Sequence, residues 1–167
     1  MAFWVLLIAQ ASVLAYGLLG GVFLAFSDFI MRSLGQVSGH GGVEAMQIIN
    51  REVFRIVFMV LFLGMAPVSV LLIVHGLAWG EGNGALLIAG AGAVYLIGGF
   101  LVTVVFNVPL NETLAAMDTD DQATARYWQG TYLPRWTFWN SVRTGACALA
   151  SVMMMIGLIW TAQNPAV

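Results

Sequence analysis

Hydrophobic positions in this chain do not alternate with polar ones. They gather into four long runs without a charged side chain, over residues 2–27, 56–80, 82–111 and 144 to the last residue. A helix rises about 1.5 Å per residue, so crossing a hydrocarbon core of about 30 Å takes roughly 20 apolar residues. Each run meets that length. Allowing for ragged ends, the pattern predicts helices over about 3–34, 54–79, 84–108 and 136–161 in a single transmembrane domain spanning 1–167. The apolar start lacks a basic leader and is longer than the core of a signal peptide, so it is expected as a retained helix.

The connections carry their own pattern. Residues 80–84, Gly-Glu-Gly-Asn-Gly, form a short turn that predicts a hairpin of the second and third helices. After the first helix, a Gly-rich turn over 38–42 precedes Val43, Met46, Ile49 and Val53, whose spacing predicts a short interfacial helix. After the third, Asp118, Asp120 and Asp121 suit a helix start, with a second short interfacial helix expected over 122–132. The expected fold class is therefore all-α, an integral membrane four-helix bundle with short interfacial helices in the two longer links.

Composition agrees with a lipid setting. Hydrophobic residues make up 60% and charged residues only 8%, against roughly 25% charged in soluble domains. Six Arg, no Lys and a net charge of −2 leave no basic footprint for nucleic acid. The lone Cys147 excludes an internal disulfide or a thiolate cluster, and His40 and His75 lie in different segments. No metal site and no cofactor are expected. All six arginines fall on or toward the side of the longer links. The positive-inside rule makes that side cytoplasmic and both termini non-cytoplasmic. Trp4, Trp79 and Trp160 map to one interface, and Trp128, Trp136 and Trp139 to the other. The expected location is a bacterial inner membrane.

Polar residues inside apolar spans mark the candidate chemistry, because an unpaired polar group in hydrocarbon is costly. On the third helix Tyr95, Gly99, Thr103 and Asn107 lie four apart on one face, and Pro109 is expected to break or kink the helix just beyond. Asn107 and Asn111 then offer amides at the cytoplasmic end, or the stripe serves packing and the amide caps a helix end. On the fourth helix Trp136, Asn140, Arg143 and Cys147 share a face at matching depth. Arg143 either presents an anion-binding fork to the bundle interior or snorkels to the interface. The first helix contributes Phe23 and Ser27, with Gly17 and Gly21 at a close-packing spacing. The entry to the second helix contributes Asn50 and the stripe Phe54, Phe58, Phe62, which suits either core or an aromatic ligand wall.

Four segments, taken in order, carry a resemblance: residues 21–27 (GVFLAFS), 45–51 (AMQIINR), 106–111 (FNVPLN) and 136–144 (WTFWNSVRT). Together they resemble the anthrone oxygenase-like family of small four-helix membrane proteins, over nearly the whole chain. The resemblance implies oxidation of a hydrophobic aromatic, polyketide- or quinol-like substrate by molecular oxygen without a cofactor. Anthrones become anthraquinones in the characterised members. Such chemistry needs an apolar slot, donors or a cation for a phenolate-like anion, and a proton acceptor. The residues expected at the reacting centre are Asn107, Asn140 and Arg143. Ser27, Asn50, Asn111, Trp136, Trp139, Phe58 and Phe23 are expected around the substrate. No base stands out, although His40 and Glu112 lie in the right half. The expected partners are membrane lipids, an aromatic small molecule and oxygen, with self-association left open. The alternative is a non-catalytic protein that binds a lipophilic ligand or acts as a structural or assembly subunit.

Overall fold

The computed structural model describes residues 3–164, and among them the chain is all helix and connection, with no strand. The helices are α1 (Phe3–Leu34), α2 (Gly41–Glu52), α3 (Ile56–Ala78), α4 (Gly82–Ala115) and α5 (Gln122–Gln163). All but α2 are long and apolar enough to cross a membrane. Much of their surface is Leu, Val, Ile and Phe facing outward, as on α3 at Ile56, Val57, Val60 and Leu71. Water would penalise such a surface and lipid does not.

α5 is the central element, packed along α1 on one side and α4 on the other, and α3 closes onto α4 as the predicted hairpin. The turn between α3 and α4 needs a residue with φ of +74°, and Gly82 supplies it. The helices approach closely where side chains are smallest. Gly20 of α1 faces Cys147 of α5. Gly17 and Gly21, the pair expected there from spacing, face Ser151 loosely and open space respectively. At the opposite end, Gly84 of α4 meets Gly157 of α5 backbone to backbone. A Cβ on Gly157 would lie 2.9 Å from the Gly84 carbonyl oxygen and 3.0 Å from Ile88 Cγ1. Gly157→Ala should therefore cost about 1–3 kcal/mol of overpacking and lower the melting temperature in detergent. Gly145→Ala, where nothing lies within 4 Å, should leave it unchanged or raise it, since alanine favours a helix. Equal melting temperatures for the two variants would contradict this packing.

Two boundaries differ from the sequence expectation. α4 does not end near residue 108 but continues through Pro109 to Ala115, and α5 starts at Gln122 rather than 136, absorbing both Pro134 and the expected second interfacial helix. The reason is the same at both prolines. A proline inside a helix lacks the N–H of its turn and crowds the carbonyl four residues back. Here a widened π turn stands just before each: Thr103–Asn107, closed by Val108 N–H to the Thr103 carbonyl, and Trp128–Tyr132, closed by Leu133 N–H to the Trp128 carbonyl. The wider turn moves the crowded carbonyl away and the helix carries on. Two more π turns, Phe26–Ile30 in α1 and Tyr95–Leu101 in α4, bring the number to four among the described residues. Three of the four lie at the arginine-rich end of the molecule.

The first interfacial helix is present as α2. Val43 and Met46 are buried, and Gln47 donates to the carbonyls of Leu114 (2.8 Å) and Met117 (3.0 Å), satisfying the open end of α4. Asp121 accepts from the Ala123 N–H at 2.9 Å and caps α5, as the acidic cluster predicts.

Candidate functional site

The π turns and the α2 corner leave a cavity of about 730 Å³ between α1, α3, α4 and α5 at the arginine-rich end. That volume suits a drug-sized ligand. One wall is a relay of rings: Phe23 meets Phe58 edge-on at 6.2 Å, Phe58 stacks on Phe62 at 6.0 Å, and Phe62 on Phe100 at 5.5 Å. The phenylalanine stripe read from spacing thus turns inward at Phe58 and Phe62. Beneath it, Tyr16 and Tyr95 stack at 4.9 Å, and their hydroxyls are engaged with Ser69 and the Phe62 carbonyl. The cavity is not sealed. Leu63, Val104 and Val108, all exposed, form part of its edge, as do Phe54, Arg51 and Glu112.

Arg143 stands in the wall. Only 5% of it is exposed, and its guanidinium is 4.3 Å from the centre of the Phe23 ring and 5.2 Å from that of Trp136. Nη2 donates to Asn140 Oδ1 at 2.6 Å and Nη1 to Thr103 Oγ1 at 3.2 Å. Nε is buried without a partner. Among the described residues no carboxylate pairs with this cation; the only ion-pair contacts are Arg55 with Glu52 and His40 near Asp120. Of the two readings of Arg143, the side chain follows the inward one.

Asn140 is fully buried and orients that fork. Its Nδ2 donates to the Phe23 carbonyl and to Ser27 Oγ, both at 2.6 Å, so its oxygen is turned toward Arg143. Ser27 sits in the α1 π turn and also meets Ser141 Oγ at 3.0 Å, which places it behind the wall as a support. Thr103, part of the stripe on α4 but not singled out from sequence, is brought to Arg143 by the next π turn.

A second polar group lies one step toward the end of the bundle. Asn111 Oδ1 accepts from Tyr132 Oη at 2.7 Å and from Trp136 Nε1 at 2.8 Å, and Asn50 Nδ2 donates to Tyr132 Oη at 3.3 Å. Asn50, Asn111 and Trp136 all line the cavity. Tyr132 is the member that sequence reasoning missed. Its signal was the ladder Trp128, Tyr132, Trp136 at four-residue spacing, which stacks at 5.3 and 6.4 Å.

Besides Ser27, two more expected residues lie away from the cavity. Asn107 is buried and donates to the Trp136 carbonyl at 3.3 Å, but it neither lines the cavity nor bonds to Asn140 or Arg143, and its Oδ1 has no partner. Trp139 stacks on Phe106 at 3.6 Å beside a smaller hollow of about 280 Å³ on the other side of α4. For Asn107 the π turn is the cause, since it rotates residues after Thr103 away from the straight four-residue stripe. Of the two acid–base groups noted in the links, Glu112 reaches the cavity edge. His40 stays exposed, 3.9 Å from Asp120.

These features define a class: an all-α protein with four helices fit to cross a membrane and an apolar cavity built around a buried, uncompensated arginine. The family model for anthrone oxygenase matches residues 52–153, and the chain belongs to that family. The match runs from the end of α2 into the last third of α5, so the segments at 21–27 and 45–51 that resemble the family lie outside it. No curated protein and no solved structure matches the chain.

Proposed function

We propose that this protein is a membrane-embedded oxygenase for a hydrophobic aromatic compound that forms an oxyanion, with an anthrone as the model substrate. The observation that carries the reading is Arg143, a buried cation with no carboxylate partner among the described residues, set in an aromatic cavity large enough for such a molecule. An isolated buried charge is costly, and an anionic ligand is the partner that removes the cost. Ring faces at Phe23 and Phe58 hold the planar skeleton, while Arg143, aimed by Asn140 and Thr103, stabilises the oxyanion. The exposed apolar edge at Leu63, Val104 and Val108 admits the substrate from lipid. By the positive-inside rule the arginine-rich end faces the cytoplasm and the chain ends lie on the other side.

The reaction balances without an external reductant. Loss of one proton from the ring CH2, to Glu112 or to water at the cavity edge, leaves an anion whose charge rests on the ketone oxygen beside Arg143. Its carbon donates electrons to oxygen, a C–O bond forms, and protonation gives a hydroperoxide. Loss of the remaining C–H proton with cleavage of the O–O bond releases water and leaves a second ketone. One CH2 and one O2 thus become one C=O and one H2O.

Purified protein in detergent, given anthrone and air without a reductant, should consume one oxygen per anthraquinone formed, well above the spontaneous rate. No acceleration over heat-treated protein would sink the reading. Saturable anthrone binding without oxygen uptake would favour the non-catalytic ligand-binding alternative, which the same cavity supports.

A further inference from the structure

The hydrogen bonds around Tyr132 fix one another's polarity. An indole N–H can only donate, so the Asn111 atom 2.8 Å from Trp136 Nε1 is its carbonyl oxygen. The same oxygen takes the Tyr132 hydroxyl proton at 2.7 Å. With that proton committed, Tyr132 Oη can only accept, so the group of Asn50 facing it is the amide NH2. Two groups are left over: the NH2 of Asn111 and the carbonyl of Asn50. Neither makes a hydrogen bond among the described residues, both belong to residues lining the cavity, and neither is sealed from solvent as Asn107 Oδ1 is.

We infer that Asn111 and Asn50 form a second polar station in the cavity that receives a hydroxyl group of the ligand. A hydroxyl accepts and donates at a single atom, accepting a hydrogen bond from Asn111 Nδ2 and donating one to Asn50 Oδ1. A bare ketone satisfies only Asn111, and an ammonium only Asn50. Trp136 stands between this station and Arg143, bonded to Asn111 through Nε1 and lying against the guanidinium. A ligand engaging both stations therefore carries its oxyanion and its hydroxyl on opposite parts of a fused ring system that lies along the indole. The inference rests on the proposed reading that an aromatic oxyanion binds at Arg143, and it adds the residues that select among such compounds.

The test is tryptophan-fluorescence titration of the purified full chain without oxygen, using anthrone and 3-hydroxyanthrone, whose hydroxyl sits on an outer ring away from the ketone. The wild-type protein should bind the hydroxylated compound about tenfold more tightly, the worth of a hydrogen-bonded group relative to water. In Asn111→Leu and in Asn50→Leu that ratio should fall to near unity. Asn50→Leu removes only one long bond to Tyr132, so it serves if Asn111→Leu fails to fold. A wild-type ratio near unity, or a ratio unchanged in the Asn50 variant, overturns the station while leaving the oxyanion site standing. Binding of neither compound by the wild type overturns both.

Discussion

Arg143→Gln should reduce oxygen uptake with anthrone by at least about a hundredfold while the protein remains folded. Losing one preorganised donor to a developing oxyanion typically costs about 10²–10³ in rate, and here the donor also carries the charge. Folding should survive for an electrostatic reason. The guanidinium is buried with two neutral hydrogen-bond partners and, among the described residues, no counter-ion, so its replacement removes a desolvated charge along with the bonds. A glutamine amide can still donate to Asn140. Arg143→Lys should recover little, because an ammonium cannot lie flat between Phe23 and Trp136 and bond Asn140 and Thr103 together. Oxygen-electrode rates beside detergent melting curves decide the matter. Wild-type turnover in Arg143→Gln would remove Arg143 from the chemistry, and collapse of the fold in both variants would point to a structural tie.

The membrane-crossing architecture was open to reading because it follows from the length of apolar runs, which local structure cannot disguise. α1 spans 3–34 as expected, Val43, Met46 and Ile49 of the predicted stripe lie on α2 with Val53 just past its end, and the Asp121 cap falls where spacing placed it. The fourth-helix face was equally legible. Trp136, Asn140, Arg143 and Cys147 sit at four, three and four residues apart in an undistorted stretch of α5, and all four are buried. The third-helix face was not. A straight-helix rule puts Thr103 and Asn107 on one line, but the π turn between them adds a residue to the turn and separates them, so Thr103 reaches Arg143 and Asn107 does not. The same widening let α4 and α5 pass Pro109 and Pro134, where a proline rule alone predicts an end. The proline is visible in a sequence, whereas the bulge that accommodates it is set by packing among α2, α4 and α5.

Thr103→Asp separates the charge of Arg143 from its mere presence. Thr103 Oγ1 already lies 3.2 Å from Nη1, so a carboxylate at this position comes within ion-pair reach of the guanidinium. Removing one member of a buried pair costs about 3–5 kcal/mol, and supplying the missing member recovers part of that. Stability should therefore rise by about 1–3 kcal/mol, offset slightly by loss of the Thr103 bond to the Gly99 carbonyl. Turnover should fall at least about a hundredfold, because the introduced carboxylate neutralises the cation and repels the substrate oxyanion. Thr103→Val removes the hydrogen bond without adding charge and should lose only about tenfold, the worth of a single hydrogen bond. A purely structural role for Arg143 predicts the gain in stability without a loss of turnover. A higher melting temperature with undiminished oxygen uptake in Thr103→Asp would therefore rule out an oxyanion at Arg143, whereas opposite movements of stability and rate tie the uncompensated charge to the reaction.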